Sequence, residues 1–182
     1  MNLDKNMQKS EIEKFLSTKG DFVQIDYLGR FLKENPPLAV KKFAYTKLAE
    51  LYQNKAMFSA AAKMYDNLAI LSIAFSEKIG HYVKETEMYI KSGEFINADE
   101  AMKKALGDSN ASQRSEINFS VKDFYKRQAE TYEKELRRGS AVKIYEKMLE
   151  MNISDSERAE IKGKLSALYA KLGKFDKLRR TR

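Results

Sequence analysis

The chain has 182 residues, 43% hydrophobic and 11% aromatic, with eight glycines, two prolines and no cysteine. That mixture favours helix over strand and excludes disulfides and thiolate metal sites. The formal net charge is +8, a balance that points to an anionic partner such as RNA, an acidic protein or a membrane surface.

Met1 leads into NLDKNMQKSE, which lacks the apolar core of a secretory signal, and the apolar run LAILSIAF at 68–75 is too short to span a bilayer. A cytoplasmic protein without a membrane span is expected. Ser10 and Glu13 form a capping-box pair ahead of Ile12, Phe15 and Leu16, and Gly20 supplies a left-handed stop. DFVQIDYLGRFLKEN then places Phe22, Ile25, Leu28 (or Gly29) and Leu32 on one helical face. Residues 1–35 therefore read as a helical pair that caps the rest of the chain. Pro36 and Pro37 end it and open the next helix. From there apolar residues recur at helical spacing, punctuated by Gly93 with Glu94, Gly107 with DSNASQ, Gly139, NISDSE and Gly173. Ser154 and Glu157 make a second capping box. No segment alternates with a period of two, so the fold class is all-α.

A repeat organises residues 36–182. Tyr52, Tyr89, Tyr132 and Tyr169 each close one helix ahead of a turn and a second helix, at separations of 37, 43 and 37 residues. Phe58, Phe95 and Phe175 stand six residues after their tyrosines. Ala61, Ala98 and Ala141 stand nine after, and Tyr65, Met102 and Tyr145 thirteen after. Antiparallel helices approach closely only where a small side chain faces a large one. Ala49, Ala61, Ala98, Ala129 and Ala141 are thus expected as hollows for Tyr52, Tyr65, Tyr89, Tyr132 and Tyr145. A lone hairpin cannot bury both faces, so about four must stack, the last incomplete and ending in the basic tail 171–182.

LAELYQNKAMFSAAAKMYDNL, MYIKSGEFINADEAMKKAL, QAETYEKELRRGSAVKIYEKML and LSALYAKLGKFDKL make the chain resemble the tetratricopeptide repeat family and, more distantly, the helical arrays of soluble attachment proteins. The pattern is degenerate: Tyr45, Tyr82 and Tyr125 fill the early large position, but Lys162 replaces it in the last repeat, and the spacing exceeds 34 residues. The resemblance implies a right-handed α-α superhelix of antiparallel hairpins whose first helices line a concave groove that holds extended peptides. Two residues beyond the tyrosine ridge, about 200° around the helix, lie Lys47, Glu50 and Asn54, then Lys84, Glu87 and Lys91, then Arg127, Glu130 and Lys134, and last Lys164, Ala167 and Lys171. The ladder is basic in excess and suits a peptide carrying carboxylates. Its acids stand where family members that clamp chaperone tails carry asparagine, which disfavours that ligand. Glu87–Lys91 and Glu130–Lys134 are also ordinary i,i+4 pairs of a solvated face.

Catalysis is not expected. His81 is the single histidine, with no HExxH or phosphate-loop motif around it, and it reads as an ordinary residue near a helix start. Glu85 and Glu87 read as surface charges, and Gly29, Gly80 and Gly163 as sites of close helix packing. No metal or cofactor is expected. The sequence favours a non-catalytic adaptor that binds a protein or peptide, as a monomer or weak homo-oligomer. The alternative is an RNA- or ribosome-associated factor using Arg137, Arg138, Arg179, Arg180 and Arg182. A self-assembling scaffold, using the open end of the last hairpin, is the third reading.

Overall fold

The computed structural model of the chain describes residues 3, 4 and 6–180, the last by its backbone alone. Among them are ten α-helices and no strand. They are α1 (Lys9–Leu16), α2 (Asp21–Lys33), α3 (Leu38–Asn54), α4 (Phe58–Leu71), α5 (Phe75–Ser92), α6 (Phe95–Gly107), α7 (Ala111–Lys134), α8 (Arg138–Leu149), α9 (Asp155–Lys171) and α10 (Phe175–Arg180). None is long and apolar enough to cross a membrane.

The repeat is written most clearly in its turns. Four residues after each tyrosine the backbone is left-handed: Ala56 at φ 55°, Gly93 at 81°, Leu136 at 58° and Gly173 at 66°. The next N–H then donates back to the tyrosine carbonyl, from Met57 to Tyr52 (2.8 Å), Glu94 to Tyr89 (3.0 Å), Arg137 to Tyr132 (2.8 Å) and Lys174 to Tyr169 (2.9 Å). This is the Schellman termination, which satisfies carbonyls that a helix end leaves orphaned. Four hairpins, α3–α4, α5–α6, α7–α8 and α9–α10, share one turn. Only two of them place glycine at the left-handed residue. A side chain there costs about 1–2 kcal/mol. Ala56→Gly is therefore expected to stabilise the protein by about 0.5–1 kcal/mol, and Gly93→Ala to destabilise it by at least as much. Chemical melts of the two variants check the pair, and equal midpoints would contradict a strained Ala56.

Other stop signals act differently. Gly20 is extended (φ −66°, ψ 155°) and precedes α2 instead of ending α1 left-handed. The first capping box sits two residues earlier than Ser10–Glu13, with Glu11 accepting from the Gln8 N–H at 2.7 Å. Ser154 and Glu157 do form theirs. Gly139 lies inside α8, and Gly107 is the last residue of α6. A Cβ on Gly29, Gly80 or Gly163 would meet nothing within 4 Å, so these are not points of close helix approach.

DSNASQ restarts a helix. Asn110 and Gln113 exchange backbone-to-side-chain hydrogen bonds of 2.9 and 3.0 Å, a reciprocal cap ahead of α7. In α5 and α9 the tyrosine is the fifteenth residue, and in α7 it is the twenty-second. The longer second spacing, 43 residues against 37, thus comes from seven extra helical residues, 111–117, less the one residue by which α6 is shorter than α4. Seven residues are close to two turns, so the buried face continues in phase through Ile117, Val121, Tyr125 and Ala129.

The chain forms two compact units, Met1–Ile117 and Asn118–Arg182. In the first, α1 and α2 bury Ile12, Leu16, Leu28 and Phe31 with Leu48 and Leu51 of α3. Phe22 is left exposed beneath the Lys55 amine, with Phe31 in the core in its place. Successive helices α2 to α6 pack each on the next. In the second unit, α8 packs on α9 and α9 on α10. All five alanines expected as hollows are buried. Tyr89, Tyr132 and Tyr145 are buried knobs, whereas Tyr52 and Tyr65 are half-buried. Each unit also repeats two polar ties at equivalent positions. Lys42 pairs with Glu77 and Lys122 with Glu157, both 35 residues apart. Gln53 donates to Tyr65 Oη, and Tyr145 Oη donates to Glu133, both 12 apart.

Candidate functional site

In the second unit α7, α8 and α9 enclose a cleft of about 260 Å³. Tyr145 and Met148 of α8 and Ile161 of α9 form its apolar floor with Ile153 from the preceding connection. Tyr145 is 1% exposed. Burial, the Glu133 carboxylate and nearby acids raise its phenol pKa far above the usual range. The Lys164 amine sits 5.4 Å from the centre of its ring.

The rim carries Lys122, Asp123 and Lys126 from α7 with Glu157, Glu160 and Lys164 from α9. Most of these charges are neutralised locally: Lys122–Glu157 at 3.1 Å, Lys164–Glu160 at 3.7 Å, and Asp123 with Arg127 at 2.8 Å. The Ser154 backbone, Lys122 and the Ser154 side chain hold the Glu157 carboxyl below its ordinary pKa. Phe119 borders the cleft and is 72% exposed. Pockets that enclose a small-molecule ligand run to roughly 300–1,000 Å³. This cleft is smaller, with an apolar floor and a balanced charged rim.

Of the twelve residues expected on the groove ladder, Lys164 is the one that lines this cleft. Arg127 lies beside it on Asp123 and over the Phe124 ring (5.3 Å). Glu130 is half-buried, and Lys134 and Lys171 are exposed. In the first unit Lys47 pairs with Glu50 (3.3 Å) and Asn54 is exposed. Glu87 is 8% exposed and held by Lys91 at 2.9 Å and Lys84 at 3.3 Å. Burial opposes its ionisation, but the two lysines outweigh that and keep its pKa low. Sequence reasoning passed over Phe119, Lys122 and Lys126. Lys122 was findable, since it stands ten residues before its tyrosine, as Lys42 does.

Glu85 and Glu87 are not surface charges, because residues 85–90 of α5 are buried without a break. Glu85 is 3% exposed; its Oε1 accepts from Lys104 (3.2 Å), which also binds Asp66 (2.7 Å), and its Oε2 has no partner among the described residues. Burial, with Asp66 adding to it, raises the Glu85 pKa to about 7 against the pull of Lys104. His81 stacks on Tyr65 as the seventh residue of α5, 3.8 Å from Glu77, and burial lowers its pKa. Among the described residues no group of three or more acids and histidines is placed to hold a metal ion.

The basic segments expected to touch nucleic acid come together in part. Arg137 and Arg138 line a second, open cavity of about 680 Å³ with Lys143, Lys174 and Lys177, all within the second unit. Arg179 is exposed, and the Arg180 side chain and Arg182 lie outside the described residues. No protein-family model matches the chain, and no curated protein matches it.

Proposed function

We propose that the protein is a non-catalytic adaptor of the cytoplasm, a tetratricopeptide-like array wound as a right-handed superhelix, which captures a partner protein through a short peptide segment. The observation that carries the reading is the cleft of α7, α8 and α9. Its apolar floor and paired rim charges accept a large apolar side chain flanked by residues of both signs, and the exposed Phe119 extends the contact surface. The shared hairpin turn and the ties recurring in both units support the repeat reading. Rim charges of this kind contribute little affinity and mainly set orientation and partner choice, while a desolvated apolar anchor supplies most of the binding energy.

The test is affinity capture from nuclease-treated lysate, comparing wild type with Phe119→Asp/Lys164→Glu and with Lys84→Glu in the first unit. A discrete protein that survives nuclease and is lost only with the first variant is the expected result. Retention of the same proteins by all three forms would place binding elsewhere.

A further inference from the structure

The second cavity differs from the first in kind. It is bounded by the α7–α8 turn, the first turns of α8, and the segment leading into α10. Five cations line it, with Glu146 as the single carboxylate. That carboxylate is occupied: it accepts from Tyr169 Oη at 2.7 Å and from Lys177 at 2.6 Å. Burial works against its ionisation, but these partners keep its pKa low. The side chains of Arg138, Lys143 and Lys174 make no hydrogen bond or ion pair among the described residues, although the Lys174 charge also helps to keep the Glu146 pKa low. Arg137 pairs with Glu135 at 3.3 Å and Lys177 with Glu146, so three of the five cations of this basin are left without an ion pair among the described residues, whereas most charges of the α7–α9 cleft are paired. A concave surface bearing one sign of charge focuses its field and concentrates polyanions.

Two features select among polyanions. The Arg137 guanidinium lies 4.3 Å from the centre of the Tyr132 ring, which holds it as a flat cationic plate. Beside it Leu136 is 72% exposed and left-handed, where the sibling turns carry Ala56, Gly93 and Gly173. A bulky side chain held strained and exposed, with no burial to offset the cost, points to a contact that uses it. A stacked arginine plane and an apolar surface next to free cations match a chain that alternates phosphates with flat bases. A bilayer surface, being flat, does not enter a concave basin, and α10 with its six residues is short for an interfacial helix.

We propose that this basin binds single-stranded RNA, with phosphates on Arg138, Lys143 and Lys174 and a base against Leu136 and Arg137. It is a surface separate from the peptide cleft and stands or falls independently of it.

The experiment is fluorescence anisotropy of the full chain with a short labelled oligouridylate, titrated at several salt concentrations between about 50 and 200 mM. Contact with about three phosphates gives a slope of log K against log salt near −2. Arg138→Glu/Lys143→Glu/Lys174→Glu is expected to weaken binding at least tenfold. A control of equal charge change, Lys33→Glu/Lys103→Glu/Lys162→Glu, is expected to leave it within about twofold. Leu136→Gly supplies a readout that misfolding cannot mimic: it relieves backbone strain and raises the melting temperature while lowering RNA affinity severalfold and leaving the salt slope unchanged. The proposal is overturned by no binding at the lowest salt, by equal weakening in the control, or by unchanged affinity in Leu136→Gly. Binding to phosphatidylglycerol vesicles or polyglutamate without binding to the oligouridylate would also overturn it.

Discussion

Tyr145→Ala is expected to destabilise the second unit by about 3–5 kcal/mol. The side chain is 1% exposed, so truncation leaves a cavity as well as losing apolar transfer energy. Its floor position between α8 and α9 gives the neighbouring helices little freedom to collapse into the space. Tyr145→Phe keeps the ring and deletes only the hydroxyl that donates to Glu133. A hydrogen bond to a charged acceptor is worth about 1.5–3 kcal/mol when both groups are buried. Glu133 is half-buried and regains water, so a loss of about 1 kcal/mol is expected. Urea melts of both variants separate ring from hydroxyl. If alanine costs no more than phenylalanine, the ring does not pack as a knob and the ridge-and-hollow account of the hairpin fails.

The second large effect is pH dependence from Glu85. Its folded pKa is about 7 against an ordinary 4.5. Below about pH 4.5 both states carry the proton, and the group contributes no pH dependence. Between pH 4.5 and 7 the folded protein keeps a proton that the unfolded chain releases, so stability falls as pH rises through this window and levels off above it. At about 1.4 kcal/mol per pH unit the loss over the whole window amounts to about 3.5 kcal/mol, of which about 2–3 kcal/mol falls between pH 5 and pH 8. His81 acts in the opposite sense, because its lowered pKa makes stability rise as pH climbs toward its unfolded value. The comparison must therefore be differential. Glu85→Gln is expected to be more stable relative to wild type at pH 8 than at pH 5 by about 2–3 kcal/mol, measured by denaturant melts at the two pH values. An identical difference at both would mean that Glu85 is ionised throughout.

The tyrosine frame was legible because it follows from two periodicities, the helical turn and the repeat, and both are carried by side chains. The turns were legible only at Gly93 and Gly173, where glycine advertises the left-handed residue. At Ala56 and Leu136 the Schellman bonds impose the same conformation on residues that do not prefer it. Gly20 misled in the opposite direction, since glycine accepts extended backbone as readily. Glu85 carried a readable signal that composition obscured. It stands four residues before Tyr89, the place of Leu48 and Leu165 in sibling repeats, and is therefore on the buried ridge. For the cleft, Lys164 was named from sequence. Phe119 was not, because its use depends on how α9 faces α7.

The polar ties of these hairpins span short stretches of chain. Gln53–Tyr65 and Tyr145–Glu133 close 12 residues, Lys42–Glu77 and Lys122–Glu157 close 35, and Lys104–Asp66 closes 38. Closing a loop costs entropy that grows only with the logarithm of its length, and folding rates rise as contacts become more local. No late pairing of distant segments is needed before these contacts form. Within each unit a hairpin completes itself and then offers its outer face to the next helix, so each unit has the connectivity of a fast folder that assembles progressively.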